Sequence, residues 1–229
     1  LIEPGDHVIS LYPTYQQLYD IPRSFGAEVD LWHIREENNW MPDLEELRKL
    51  VKNNTKMICI NNANNPTGAV MEEDFLKELV KIAEGCGAYI LSDEVYKSLE
   101  TGIEVPSIAD LYDKGISVNS ISKTYSVPVI RIGWVAANSK LSDIFRKYRD
   151  YTMICAGVFD DYLATYILEN KEAVLERNRK IVTENLEVVK KWVENEPKVS
   201  LIYPKYVSTS FIKLDIPVDT EEFCIKLLK

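Results

Sequence analysis

Short apolar runs alternate along the chain with stretches whose apolar residues recur every three or four positions. Runs over residues 6–11, 27–31, 56–61, 88–92, 116–120 and 133–137 carry few polar interruptions. Strands buried on both faces read this way, and such strands build mostly parallel sheets. Between the runs lie helical patterns. Asp43 and Glu46 have capping-box spacing, and Leu44, Leu47 and Val51 behind Asp43 share one face. Phe75, Leu76, Leu79 and Ala83 form the stripe of a helix over residues 72–84, which Gly85 or Gly87 can end. This alternation predicts an α/β domain.

The pattern changes after Ser139. Residues 140–151 read as a helix, and residues 160–195 carry long helical periodicity with many charges, Glu172, Glu176, Arg177, Arg179 and Lys180 among them. Two strands follow over 199–203 and 209–214 with a turn near Pro204, then a helix over 221–228.

Composition narrows the function classes. A chain of 229 residues supports one or two domains with a real core. A net charge of -9 argues against nucleic acid, whose phosphates call for clustered Lys and Arg. No apolar run reaches the ~18 residues of a membrane span. Cys59, Cys86, Cys155 and Cys224 lack metal or redox spacing, so they read as buried, reduced thiols of a cytoplasmic protein. His7 and His33 stand far apart, which makes a histidine triad or a multi-histidine metal site unexpected.

Three blocks and an arginine carry candidate chemistry. They are Asn64-Asn65-Pro66-Thr67-Gly68, Ser92-Asp93-Glu94-Val95-Tyr96 and Ser120-Ile121-Ser122-Lys123, with Arg131 eight residues beyond Lys123. Each has an ordinary reading alone. A lone lysine is usually exposed. Asp93 after an apolar run suits a helix N-cap, and Asn-Pro-Thr-Gly forms a plain turn. Arg131 can pair with a surface carboxylate, and Tyr15 after Pro13-Thr14 suits a core or interface.

In this order and spacing the blocks resemble the fold type I pyridoxal 5'-phosphate (PLP) aminotransferases of class I/II. The resemblance runs from Pro4-Gly5-Asp6 to about Leu214. It implies a three-layer α/β fold in which a mostly parallel sheet forms a large PLP-binding domain over residues 1–168. Residues 169–229 would begin a small α+β C-terminal domain.

The resemblance also implies roles. Lys123 would form the Schiff base and shuttle protons. Asp93 would pair with the pyridine nitrogen, with Glu94 as the adjacent competitor. Tyr96 and Asn65 would bond the ring 3′-oxygen, and the Asn-Pro bond is commonly cis. Arg131, Ser120 and Ser122 would hold the phosphate, and Tyr15, with Tyr12 as alternative, would stack on the ring. Substrates would be an amino acid and a 2-oxo acid, and the assembly a homodimer.

Some positions depart from the family pattern. Val129 stands where Gly is usual and Ala63 where Pro is frequent. Asp160 and Asp161 fall where relatives place Ser or Thr near a neighbouring subunit's phosphate, so they are expected to face elsewhere. The family's Gly-rich phosphate turn and carboxylate-gripping arginine belong to segments before residue 1 and after residue 229, so the chain reads as an internal portion. Rival readings are another PLP reaction (a lyase, decarboxylase or oxidase) and a non-enzymatic PLP-binding regulatory domain.

Overall fold

A computed structural model of the chain describes residues 1–99, 105–204 and 207–229. Six of the expected strands form one sheet: β1 (His7–Tyr12), β2 (Glu28–His33), β3 (Thr55–Asn61), β4 (Tyr89–Asp93), β5 (Gly115–Ser120) and β6 (Gly133–Ala136). Their order is β2-β1-β3-β4-β5-β6. The first five run parallel, and β6 pairs antiparallel with β5.

The helices are α1 (Gln17–Ser24), α2 (Leu44–Leu50), α3 (Glu73–Cys86), α4 (Ile108–Leu111), α5 (Ser139–Arg149), α6 (Val158–Glu169), α7 (Lys171–Asn195) and α8 (Thr220–Leu227). Strands β7 (Val199–Leu201) and β8 (Ile212–Leu214) form a separate antiparallel pair.

Successive strand residues face opposite ways, and the cores follow that alternation. Ile9, Ile58, Ile60 and Ile90 pack with Leu47 of α2, Leu76 and Leu79 of α3 and Ile108 of α4. Val8, Met57, Cys59 and Ile116 pack with Leu18 of α1 and Leu141 of α5. The sheet is thus covered on both faces, giving three layers. Each fully buried Ile or Leu stabilises the fold by about 1.5–3 kcal/mol.

Several local expectations shift. The capping box behind Asp43 does not form: Asp43 caps Glu45 N–H at 2.8 Å, while Glu46 pairs with Arg35 at 2.7 Å. Of the two glycines after α3, Gly87 closes it, at φ +72°. The periodic stretch 160–195 is two helices that part at Asn170. Helix α1 was hidden by Pro22, which lies inside it. Only Cys59 is fully buried, and burial pushes its thiol up to about 12. Cys155 and Cys224 are exposed instead.

Among the described residues no helix is long and apolar enough to cross a membrane, and no cluster of three or more His, Cys, Asp or Glu could hold a metal. The chain leaves β1 toward β2 on one side and later enters β3 on the other. At such a reversal, loops at the C-terminal strand ends part and open a crevice.

Candidate active site

The candidate residues collect at the C-terminal ends of β1, β3, β4 and β5. Asn61 ends β3 and pairs in register with Asp93, which ends β4. The buried Asn61 side chain donates from Nδ2 to the Asp93 carbonyl at 2.9 Å and accepts the Asn65 N–H on Oδ1 at 2.6 Å. One amide therefore fixes the backbone of two candidate residues. Asn64 closes the reversal point: its Oδ1 accepts from Thr14 Oγ1 at 3.0 Å. Its Nδ2 donates to Thr67 Oγ1 at 2.8 Å and to the Pro13 carbonyl at 3.2 Å. The strand-end loop bearing Tyr15 is thereby tied to the loop bearing Asn65. The Asn65–Pro66 bond is cis, as are Tyr12–Pro13 and Asn62–Ala63.

Asp93 and Glu94 have different surroundings. Glu94 is buried and accepts the Ile108 N–H at the start of α4, together with the Ser107 and Ser117 hydroxyls. Its duty is to hold that short helix on β5. Asp93 accepts only the Val95 N–H, at 3.1 Å, among the described residues. Burial raises its carboxyl, the Val95 N–H lowers it, Glu94 raises it and Lys123 lowers it. Lys123 is itself exposed, on the turn after β5, and makes no ion pair among the described residues.

The Tyr96 ring is buried beside Ala63 and Val207. Burial raises its phenol, and the charges of Asp93 and Tyr15 raise it further. Tyr15 and Asp93 therefore both lie near Tyr96. Tyr15 keeps an open ring face, at 45 % exposure.

Arg131 sits at φ 48°, a left-handed conformation uncommon outside glycine. It donates from Nη1 to the Pro128 carbonyl at 2.8 Å and to Ser122 Oγ at 3.5 Å. Ser120 Oγ accepts the Ser122 N–H at 3.3 Å, and Ser120 pairs with Gly133. The guanidinium and both hydroxyls thus share one corner. Val129 does not crowd it, because the side chain is 80 % exposed on the turn Pro128–Ile130. Asp160 and Asp161 lie in the first turn of α6, where the helix dipole favours acids.

Sequence reasoning missed Asn61, Thr124 and Asn178. Thr124 Oγ1 reaches the carbonyls of Val95 at 3.0 Å and Lys97 at 2.7 Å, and Asn178 Nδ2 donates to the Thr124 carbonyl at 2.8 Å. Their one sequence signal is a polar residue set among apolar positions.

The donor set fits PLP. A half-buried carboxylate with no cation bonded to it among the described residues suits a ring cation, and a nearby amine suits an aldehyde. A phenol and an amide suit a ring oxygen, and a guanidinium with hydroxyls suits a phosphate.

Comparison with known proteins agrees. The sequence model of one family, described as Aminotransferase class I and II, matches residues 1–229. A crystal structure of a PLP-dependent aminotransferase from Streptococcus suis superposes with a TM-score of 0.96 at 66% identity, covering 100% of this chain and 61% of that one. Aspartate aminotransferase of Thermotoga maritima is 30% identical across 100% of this chain and 60% of its own length. Capreomycidine synthase of Streptomyces vinaceus is 27% identical over 97% of this chain and 58% of its own. The chain thus spans about three fifths of the length of these relatives.

Proposed function

We propose, from the premise that the chain belongs to the class I and II aminotransferases, that the whole protein moves an amino group from an amino acid to a 2-oxo acid using PLP. The observation that carries this reading is the meeting of Lys123, Asp93 and Tyr96 at neighbouring strand ends, with Asn65 tied to Asp93 through Asn61.

When bound, the cofactor supplies an aldehyde that takes up amines and a ring that accepts the electrons released at the substrate Cα. Asp93 keeps the proton on the ring nitrogen, and that cation offsets the cost of its burial. Tyr96 and Asn65 donate to the ring 3′-oxygen. Arg131 holds the phosphate with its planar fork, helped by Ser120 and Ser122. Tyr15, whose side chain is exposed, would pack on the cofactor ring. Lys123 would anchor the cofactor through its aldehyde and, as a free amine, would move the proton at the substrate Cα.

In this reading residues 1–168 are the cofactor-binding domain and residues 169–229 begin a smaller one, to which the separate β7–β8 pair belongs. A homodimer is supported by the exposed large apolar side chains Tyr151, Val158, Phe159 and Tyr162, close in sequence around the start of α6, since subunit contacts cover such surface. A cytoplasmic setting is supported by four cysteines free of disulfides.

The likeness to capreomycidine synthase favours, as a second reading, a different PLP reaction on this scaffold. Transamination alone consumes a 2-oxo acid acceptor. Reducing the full-length, PLP-loaded protein with borohydride and mapping the modified peptide tests the site. Label on Lys123 with turnover that requires an oxo acid is expected. Label on another lysine would reject the assignment, and turnover without an acceptor would favour the second reading.

A further inference from the structure

Helix α7 reaches the candidate site through two consecutive side chains. Asn178 is 5% exposed, and its Nδ2 donates to the Thr124 carbonyl at 2.8 Å. Its Oδ1 accepts from Arg177 Nη1 at 2.9 Å, so the amide is oriented at both ends. Arg179 Nη2 donates to the Ser98 carbonyl at 3.0 Å, and Ser98 stands at φ 78°. Thr124 directly follows Lys123. Ser98 closes the turn that follows Asp93 and Tyr96. One helix therefore grips the lysine turn with one residue and the acid–phenol turn with the next.

These two turns need such a grip. Strands β4 and β5 stay in register up to Asp93 and Val118, and the last backbone bond between them is Glu94 N–H to the Val118 carbonyl, 2.8 Å. Beyond it, the two turns are joined among the described residues by the Thr124 hydroxyl, whose one proton is shared between the carbonyls of Lys97 and Val95. Thr124 is fully buried, so its groups have no water to exchange with. Its hydroxyl faces one turn while its carbonyl is held by α7.

We propose that Asn178, acting through Thr124 and seconded by Arg179, is a positioning residue that sets the distance of the Lys123 amine from Asp93 and Tyr96. What the amine does rests on the proposed function; the grip does not. A purely structural Asn178 would satisfy a buried carbonyl beside Ile121, Tyr125 and Leu175 and leave the chemistry unmoved once the protein is folded.

The test uses the full-length protein with Asn178→Ala and with Asn178→Asp. The aspartate has nearly the same shape but presents an acceptor to a carbonyl. Leu47→Ala is the control, a fully buried position on α2 in the other core. Hydrogen exchange on the PLP-free protein reads the grip alone. Both Asn178 variants should speed exchange at residues 94–98 and 121–126, and Leu47→Ala should not do so selectively. With PLP added, the pH midpoint of the cofactor's visible band should move in both Asn178 variants. In the same variants kcat should fall about tenfold, the equivalent of one hydrogen bond, with KM within about twofold. Leu47→Ala should lower Tm and leave the midpoint where it was.

An unmoved midpoint in the Asn178 variants, or one that Leu47→Ala moves equally, overturns the positioning role. Unchanged exchange at both turns overturns the grip itself. A wild-type protein with no band bound through Lys123 sinks the aminotransferase reading instead, and the exchange data still decide the grip.

Discussion

Replacing Glu94 with alanine removes an acceptor that serves several buried donors. Its Oε1 takes the Ile108 N–H and the Ser117 hydroxyl, each at 3.0 Å, and its Oε2 takes the Ser107 hydroxyl and faces Lys97 Nζ at 3.5 Å. A buried donor left without a partner costs about 1–3 kcal/mol. The Ser107 and Ser117 hydroxyls lie 3.0 Å apart, so one of them can donate to the other and the losses do not simply add. The Ile108 N–H and the Lys97 charge remain, which places Glu94→Ala at about 3–4 kcal/mol. With a urea slope of about 1–3 kcal/mol per molar, the midpoint drops by roughly 1–4 M.

Asp93→Asn should behave in the opposite way. The amide oxygen still accepts the Val95 N–H, and the substitution removes a charge that burial disfavours. Because burial raises this carboxyl above its ordinary 3.8, ionising it costs the folded state. That cost is absent below the unfolded pKa and complete above the folded one. Asp93→Asn should therefore gain on wild type as pH rises through that window, while turnover falls by about two decades or more through loss of the ring proton. Urea titrations followed by circular dichroism, run beside a transamination assay on the full-length protein, check both arms. A wild-type midpoint for Glu94→Ala, or an unfolded Asp93→Asn, would refute this division of labour between adjacent acids.

Gly68→Ala should cost about 1–3 kcal/mol, since Gly68 stands at φ +74° and a Cβ there would lie 2.6 Å from Pro204 Cβ; thermal melts read the loss, and an unchanged Tm would show that residues 67–69 and 204 are not in contact. The Asp30 carboxyl is held below its ordinary 3.8 chiefly by the Lys52 hydrogen bond, against burial and with help from His7. That stability is present above the unfolded pKa and is lost as pH falls through the folded one, so Asp30→Asn should flatten the acid limb of a stability–pH curve, and a limb that keeps its slope would discount the pair.

The sheet was legible because short continuous apolar runs mark strands; β1 and β3 are buried as those runs imply, whereas β6, at the sheet edge, is exposed along its length. Strand edges moved by a residue or two, since the last ladder bond depends on the neighbour and not on the run itself. What escaped was set by tertiary context. Pro22 reads as a helix breaker, yet α1 accommodates it within eight residues. Asn170 gives no strong stop signal, so α6 and α7 looked continuous. Glu46 had a capping partner in sequence, but Arg35, eleven residues away, competes for it with a bidentate pair at 2.7 and 3.3 Å. A charge-assisted fork outweighs a single cap.

The residues proposed to do the chemistry and those proposed to aim them differ in how sequence reveals them. Lys123, Asp93 and Tyr96 fall in short blocks because each must leave a strand end at a fixed offset, and offset is a sequence property. Asn61 and Asn178 act across the fold. Asn61 joins β3 to β4 over 32 positions, and Asn178 joins α7 to the lysine turn over 54. No local spacing encodes such contacts. Each shows only as an amide at a buried position, where an unpaired polar group is costly and so must have a partner. The distribution follows from the architecture. A parallel sheet delivers its loops to one edge but does not fix one loop against the next, because ladder bonds stop where the loops begin. Fixing them takes side chains that reach sideways or come from another element, and here those are Asn61, Asn64, Thr124 and Asn178.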